Sequence, residues 1–251
     1  MNINQLKNFW LSEEKKTFKG WDFSYIAERN STLQLPWDYR SIVTSYMDHS
    51  KTILDMGTGG GELLLSLNPP QGKTFATEAY PPNVELCKNT LPQYGIDVRQ
   101  IFDDEELPFE DSFFDLIINN HEAFSPQEVF RILKPGGIFV TQQVGGHNNR
   151  ELSKFLLGHD TPLIHADFNL EKAKADLSSA GLTIFDAMEC FQPHHFFDIG
   201  ALVYYAKIIE WEFPDFSVER CFEQLCLLHE KVEQNGFIET IEHRFLICAL
   251  K

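Results

Sequence analysis

A short strand pattern that runs directly into a glycine-rich turn constrains this chain more than any other feature. The segment reads Ile53-Leu54-Asp55-Met56-Gly57-Thr58-Gly59-Gly60-Gly61-Glu62, and a helix pattern continues from Glu62 to Leu67. Glycine is needed where the backbone turns with positive φ or where a ligand approaches the backbone without a Cβ in the way. A strand, a glycine turn and a helix N-terminus together predict a nucleotide-sized site at the carboxyl end of a parallel strand.

The residues around this segment alternate between strand and helix patterns. Apolar strand patterns occupy 52–56, 73–77, 96–101, 113–119 and 137–144, with helix patterns between them at 62–67, 82–91 and 125–133. This alternation predicts an α/β fold in which helices cover both faces of a mostly parallel sheet. The run Lys134-Pro135-Gly136-Gly137 predicts a helix stop followed by a tight turn into the next strand.

Two further segments flank this central region. Residues 1–49 read as helical and rich in aromatic side chains, including Trp21, and they predict a lid over the sheet edge or the site. Beyond 145, the patterns predict helices at 148–157 and 169–180, a strand at 182–190, helices at 198–211 and 217–234, and a last strand at 237–250. We therefore expect a single domain spanning 1–251, with a cofactor-binding core at 50–145 and a helical insertion at 194–236 on the substrate side.

The composition limits the partners and the compartment. The chain has 251 residues, a formal net charge of −16 and no cluster among its 21 Lys and Arg residues. Nucleic-acid binding needs clustered basic side chains that displace counterions, so no nucleic-acid partner is expected. Five scattered cysteines without CxxC spacing favour reduced thiols, and no apolar segment resembles a signal peptide or a membrane span. We expect a cytoplasmic protein without a membrane association or a metal site.

The acids that flank the glycines distinguish between classes of nucleotide. A dinucleotide fingerprint, G-x-G-x-x-G, would have its third glycine where Glu62 stands. Asp55 and Glu62 would repel a pyrophosphate, whereas they suit a ligand that has a positive end and no phosphate. S-adenosylmethionine, which carries an ammonium group and a sulfonium, is such a ligand. For the loop taken alone, a purely structural tight turn is the alternative.

Polar residues at the ends of three later strands extend this predicted site. Glu78 ends the second strand pattern, where a carboxylate can accept hydrogen bonds from both hydroxyls of a ribose. Acidic residues from Asp103 to Glu106 follow the third strand, where one of them can accept a hydrogen bond from the adenine amino group. Asn119, Asn120 and His121 stand at the carboxyl end of the fourth strand.

Four collinear blocks of the chain resemble the class I S-adenosylmethionine-dependent methyltransferases, and specifically the methyltransferase type 11 group. The blocks are ILDMGTGGG at 53–61, Glu78, DDEELPFEDSFFDLIINNHEAF at 103–124 and FRILKPGGIFVTQQ at 130–143. The resemblance covers residues 52–145 and implies a Rossmann-like, seven-stranded, mostly parallel sheet with an antiparallel last strand. It also implies S-adenosyl-L-methionine as the cofactor and a small molecule as the methyl acceptor.

Position by position, the resemblance also implies which residues contact the cofactor. The glycine loop would lie under the methionine and ribose, Glu78 would bind the ribose diol, and the residues after it would pack near the adenine. The adenine amino group is assigned to Asp103, with a backbone contact from Asp104, but family members often have a small residue at the latter position, so the assignment is divided between the two. The complete set is Asp55, Gly57, Gly59, Gly61, Glu78, Ala79, Tyr80, Asp103, Asp104, Asn119 and Asn120.

Methyl transfer requires mainly that a nucleophile is aligned with the methyl–sulfur bond. A general base is needed only where the nucleophile must lose a proton, and His121, His194 and His195 are the candidates. For the pair at 194–195, a polar turn ahead of a helix is the structural alternative. Two other functions remain open: a non-catalytic protein that binds S-adenosylmethionine, and an RNA or protein methyltransferase, although the acidic balance disfavours RNA.

Overall fold

The computed structural model describes residues 2–18, 23–162 and 164–251, so Trp21 of the predicted N-terminal helical segment lies outside the described residues. The described α-helices are α1 (Ile3–Glu14), α2 (Tyr39–Tyr46), α3 (Glu62–Ser66), α4 (Pro81–Thr90), α5 (Pro126–Ile132), α6 (Arg150–Leu157), α7 (Leu170–Ser179), α8 (Ile199–Ile208) and α9 (Phe222–Asn235). The described strands are β1 (Asn30–Thr32), β2 (Ile53–Met56), β3 (Thr74–Glu78), β4 (Ile96–Gln100), β5 (Phe114–Asn120), β6 (Leu133–Val144), β7 (Thr183–Phe196) and β8 (Ile238–Leu250).

The described strands form one sheet in the order β1-β7-β8-β6-β5-β2-β3-β4. Strands β2 to β6 pair in parallel, and β8 pairs with β6 in the antiparallel direction. The predicted α/β fold, with its mostly parallel sheet and antiparallel last strand, is confirmed. The sheet has eight strands rather than seven, because β1 pairs antiparallel with the end of β7. The sequence of β1, Asn-Ser-Thr, is too short and too polar to give an apolar strand pattern.

The contacts divide the chain into two compact units. Unit 2 comprises Pro36–Val144, Asn169–Glu189 and Arg244–Lys251. Its central strands bury nearly every residue, as Leu54 and Ile117 show with no exposed surface. Parallel strands that are covered on both faces read as continuous apolar runs, which explains why their patterns were visible in the sequence. The glycine loop follows β2 in the middle of this unit.

Unit 1 comprises Met1–Leu35, Gly145–Phe168 and Cys190–His243. Its core is built around Trp10 on α1, which packs with buried side chains of α8 and α9 such as Leu202 and Leu225. Arg29 ties two of its segments together, since its guanidinium donates to Asp198 at 2.6 and 2.8 Å and to Glu13 at 2.9 Å. The predicted pair of helices between the last two strands is present as α8 and α9.

The start of β6 differs from the expected helix stop and tight turn. In the structure α5 ends at Ile132 and the strand begins at once with Leu133. Phe114 of β5 pairs with Leu133, but Leu116 pairs with Ile138, so the residues between them form a bulge within the strand. The φ of +79° at Gly136 permits this bulge, because an L-residue is disfavoured in that region.

Candidate cofactor-binding and active site

The glycine loop has the left-handed backbone that its sequence predicts. Gly57, Gly59 and Gly61 have φ values of +63°, +61° and +85°. A Cβ at Gly57 would lie 2.4 Å from Cγ of Glu122, and one at Gly61 would lie 2.7 Å from Cδ2 of Leu91. The loop therefore needs glycine both for its backbone conformation and for the side chains that lie directly against it.

Glu78, at the end of β3, fixes the position of the loop. Its Oε2 accepts a hydrogen bond from the backbone N–H of Gly59 at 2.8 Å, and its Oε1 accepts from Ala79 at 3.0 Å and Tyr80 at 2.9 Å. Hydrogen bonds to a carboxylate are stronger than neutral ones, so this buried side chain joins β3 to the loop after β2. The two oxygens offer about four acceptor positions, so these three bonds leave about one, which suffices for one of the two hydroxyls of the predicted ribose contact.

Carboxyl groups surround the loop, and burial raises the pKa values of several of them. Burial, opposed by a hydrogen bond from Thr58 and assisted by repulsion from Glu78, raises the pKa of Asp55 to about 7. Burial also raises the pKa of Glu122 to about 7, with added repulsion from Asp104 and Glu78. The pKa of Asp104 is raised as well, by burial and by Asp103. Such a site favours a positively charged ligand, because a cation would stabilise the ionised carboxylates.

Near the end of β2, the buried Nδ2 of Asn119 has no hydrogen-bond partner among the described residues. Asn119 pairs with Met56, whereas the hydroxyl of Thr58 in the glycine loop hydrogen-bonds Asp55. Buried polar groups are nearly always paired, so Nδ2 of Asn119 marks a place where a ligand or water atom completes the structure. The acidic groups, the glycine cradle and this unpaired atom fit a cationic nucleoside such as S-adenosylmethionine.

A chain of hydrogen bonds orients the residues at the carboxyl end of β5. The indole Nε1 of Trp37 donates to Oε1 of Gln142 at 2.7 Å. Because an indole N–H can only donate, it fixes the orientation of this amide, whose Nε2 then donates to Oδ1 of Asn120 at 3.0 Å. The same Nε2 lies 3.3 Å from Nε2 of His121. That ring nitrogen must therefore accept, which places the histidine proton on Nδ1.

His121 itself has an unusual backbone and environment. Its φ of +65° is uncommon for a residue with a Cβ. His121 is exposed as a residue, but the protein atoms around its ring and the nearby Arg244 lower its pKa below the ordinary value. A neutral imidazole agrees with the proton placement deduced from Gln142.

Side chains from β6 complete the floor of the site. Oδ1 of Asn119 accepts from Oγ1 of Thr141 at 3.0 Å and from Nε2 of Gln143 at 2.6 Å. Gln143 also donates to the backbone carbonyl of Glu122 at 2.9 Å, which holds the segment after β5 in place. These residues were not predicted as site residues; the only signal in the sequence is the polar run Thr141-Gln142-Gln143 at the end of an apolar strand.

The remaining predicted cofactor residues occupy different environments. Asp103 is exposed and accepts from the backbone N–H of Glu105 at 2.8 Å, as in a local turn. Asp104 is partly buried and faces Glu122 closely enough to raise the pKa of that residue. Of the two, Asp104 thus has its side chain at the acidic site. Tyr80 is 60% exposed at the start of α4, where its ring is accessible to a ligand.

The predicted turn at His194 and His195 is wrong, since both residues belong to β7 and pair with Thr32 and Ser31 of β1. The predicted strand at 182–190 extends to Phe196, because this end of β7 gains a pairing partner in β1. Neighbouring side chains in a strand point to opposite faces. His194 is buried, with its ring 4.3 Å from that of Phe196, and Nε2 of His195 lies 2.9 Å from Oε2 of Glu239. These contacts give both residues structural roles, and a catalytic role stays a prediction.

Unit 1 contains a cavity of about 300 Å³. Its lining includes His147, Arg150, Phe191 and Ile241. The ring of Phe191 stacks on that of His243 at 4.3 Å, so one side of the cavity is backed by aromatic surface. A cavity of this size and character can accommodate a small, partly apolar molecule.

In the described part of the chain, no group of three or more His, Cys, Asp or Glu side chains is arranged to bind a metal ion. Among the described helices, none has the length and apolar character needed to cross a membrane.

The part of the chain that carries this site is similar to known proteins. Residues 54–141 match a family model described as a methyltransferase domain. Over 136 residues the chain is 29% identical to a demethylmenaquinone methyltransferase from Thermus thermophilus, covering 47% of this chain and 62% of that protein. Over 200 residues it is 28% identical to the biotin biosynthesis bifunctional protein BioHC from Teredinibacter turnerae, covering 68% of this chain and 34% of that protein. The chain thus spans about a third to three fifths of these relatives.

A solved structure supports the same fold. A candidate methyltransferase from Bacillus halodurans superposes with a TM-score of 0.62 at 16% identity, covering 85% of this chain and 98% of that one. At this identity the likeness concerns the fold alone. The residues that match the family model, 54–141, include the glycine loop and the strands on both sides of it, so this part of the chain resembles a methyltransferase domain.

Proposed function

We propose that this protein transfers the methyl group of S-adenosylmethionine to a small-molecule acceptor. The observation that carries the proposal is the glycine loop, which is surrounded by carboxyl groups and follows Met56, the residue that pairs with Asn119 and its unpaired amide nitrogen. When bound, S-adenosylmethionine supplies an electrophilic methyl group together with its own leaving group. Because S-adenosylmethionine carries no phosphate group, Asp55, Glu78 and Glu122 would not repel it.

The residues of the chain would mainly bind and align. Glu78 would accept a hydrogen bond from one ribose hydroxyl at the acceptor position that its three backbone hydrogen bonds leave open. Asp104 is our choice for the adenine amino group, because its side chain lies at the acidic site. Asn120 and His121, oriented by Gln142, would face the acceptor and exclude water from the reacting atoms.

We propose an aromatic or quinone-like acceptor of mainly apolar character. The name of the Thermus relative gives demethylmenaquinone as its substrate. The cytoplasmic location and the lack of a nucleic-acid partner that the composition favours are part of the same proposal.

Calorimetric titration with S-adenosylmethionine and S-adenosylhomocysteine tests the cofactor. We expect saturable binding of both by the wild type, and weak binding after Gly59→Val, since a β-branched residue is strained at a φ of +61°. Glu78→Ala should abolish binding, because three backbone N–H groups lose their acceptor. Glu110→Gln, which changes an exposed acid on the same loop but outside the acidic run Asp103–Glu106, is the matched control. Binding of NAD, with neither adenosyl compound bound, would contradict the proposal.

Transfer of label from radioactive S-adenosylmethionine tests the acceptor class. We expect the label to enter the small apolar fraction of a cell extract. Label in RNA or protein would favour the macromolecular alternatives. Cofactor binding without transfer to any fraction would favour a non-catalytic binding protein.

A further inference from the structure

The cavity of about 300 Å³ in unit 1 combines an apolar wall with a positively charged side chain. Leu152, Phe191 and Ile241 form the apolar wall. Phe191 and Ile241 are 54% and 41% exposed, although both are large apolar residues. Such side chains gain free energy when a ligand covers them. The positively charged side chain is that of Arg150, the first residue of α6.

Arg150 has no ion pair with a carboxylate among the described residues, and its buried Nε has no hydrogen-bond partner there. Buried polar groups are nearly always paired, so a ligand or water atom would complete this guanidinium. Its Nη1 lies 3.5 Å from Nδ1 of His147. Because a guanidinium can only donate, this nitrogen accepts, and Nε2 of a neutral His147 ring carries the proton. The cavity therefore offers hydrogen-bond donors from two neighbouring side chains.

Two carboxylates also line the cavity, but each of them has another partner. Oε1 of Glu151 accepts from Nζ of Lys154 at 2.8 Å, and Oε2 of Glu239 lies 2.9 Å from Nε2 of His195. The hydrogen bond from Lys154 is the main cause of the lowered pKa of Glu151, and the charge of Arg150 is the smallest one. Both carboxylates are mostly exposed to solvent, which weakens their attraction for a charge in the cavity. An anionic ligand would be a better partner for Arg150 than either of them.

We propose that this cavity binds a small carboxylate with an aromatic body, and that Arg150 binds the carboxylate group. The planar guanidinium presents its N–H groups in a fork that matches the two oxygens of a carboxylate. The exposed ring of Phe191 favours an aromatic body, because paired aromatic rings attract each other beyond the effect of burial. Glu151 and Glu239 would repel a dianionic phosphate more strongly than a carboxylate.

This site is independent of the proposed function. All the residues that line the cavity belong to unit 1, whereas the glycine loop belongs to unit 2. The cavity can therefore be tested by direct binding, without a measurement of methyl transfer.

NMR titration observed on the ligand tests the wild-type protein with benzoate and phenylacetate. Benzamide and phenylacetamide are the uncharged counterparts of similar size. We expect each acid to bind about tenfold more tightly than its amide, because only the acid forms a charged pair with the guanidinium. Phenyl phosphate should bind more weakly than either acid. An amide that binds as tightly as its acid, or a preference for phenyl phosphate, would contradict the proposal.

Substitutions in the cavity test the two walls separately. Arg150→Gln should lower the affinity for both acids by about tenfold and leave the affinity for the amides unchanged. Arg150→Lys keeps the charge without the fork and should retain part of the affinity. Ile241→Ala should weaken the binding of acids and amides alike. Arg220→Gln changes an exposed arginine of the same unit, and this matched control should bind like the wild type.

The outcomes separate this site from the cofactor site. If Arg150→Gln binds both acids as tightly as the wild type does, the proposal is wrong. Displacement of the acids by S-adenosylhomocysteine would also overturn it, because the acids would then compete for the cofactor site. Failure of S-adenosylhomocysteine to bind would count against the proposed function alone. A thermal melt shows which variants are folded, and the lysine variant provides the comparison if the glutamine variant is not.

Discussion

At the scale of single residues, burial decides what an acidic side chain does. Asp55 has a pKa of about 7 in the folded protein and an ordinary value of 3.8. Because the folded state binds this proton more tightly, the contribution of Asp55 to stability is complete below about pH 4 and is lost as the pH rises through 7. The pKa difference corresponds to at most ~4 kcal/mol.

The variant Asp55→Asn removes this titration and should therefore be stabilised relative to the wild type as the pH rises from 4 to 8. Urea unfolding at several pH values measures the difference in the free energy of unfolding between the two proteins. Groups with lowered pKa values, such as Asp115 and Asp198, contribute stability that is lost as the pH falls. Their contributions are the same in both proteins, so they cancel in the difference between the two free energies of unfolding. A difference that does not change with pH would show that Asp55 is already ionised in the folded protein.

His121 is a second residue whose chemistry depends on its neighbours. The amide of Gln142 requires an accepting Nε2, so the ring can donate from Nδ1, and a general-base role through Nε2 needs this contact to break. We expect nitrogen NMR shifts of a neutral, Nδ1-protonated ring down to about pH 5, in line with its lowered pKa. In Trp37→Phe the amide is free to flip, and the ring should then populate the other tautomer. Ordinary histidine titration near pH 6.5 would contradict this.

At the scale of elements, the bulge at the start of β6 needs glycine at two adjacent positions, 136 and 137, for different reasons. A Cβ at Gly136 has open space, but its φ of +79° costs about 1–2 kcal/mol for an L-residue. A Cβ at Gly137 would lie 2.9 Å from the carbonyl oxygen of Lys134 and 3.1 Å from that of Phe114. These backbone atoms cannot move without disturbing the pairing of β5 and β6.

Chemical denaturation should therefore show that Gly137→Ala lowers the free energy of unfolding more than Gly136→Ala does. Gly72 provides the matched control, since it has a φ of +73° and open space around its Cβ position. Its alanine variant should lose about as much stability as Gly136→Ala. Equal losses at 136 and 137 would mean that the bulge adjusts to a side chain.

At the scale of the whole molecule, charge is the property with the widest consequence. The net charge of −16, with no basic cluster in the sequence, disfavours the binding of polyanions such as RNA. We expect no retention of RNA by the protein even in low-salt buffer, measured by filter binding with a basic RNA-binding protein as the positive control. Saturable, salt-sensitive RNA binding would instead support the RNA methyltransferase alternative.

The sequence alone determined the central α/β pattern and the glycine loop, and it is the source of the proposed class of cofactor. Each of these is encoded locally, since buried parallel strands are continuously apolar and a left-handed turn requires glycine at given positions. The Asp55 and Glu78 positions were visible for the same reason, because both lie on strands next to the loop.

The tertiary structure alone decided which side chains meet at the site. Trp37 and Gln142 are 105 residues apart in the chain, and no local pattern predicts that one orients the other. Glu122 reaches Gly57 because β5 lies beside β2, and β1 exists because the end of β7 offers it a partner. Pairing between distant strands depends on how the whole sheet is ordered, so the short polar strand and the acid above the loop emerge only once the chain is folded.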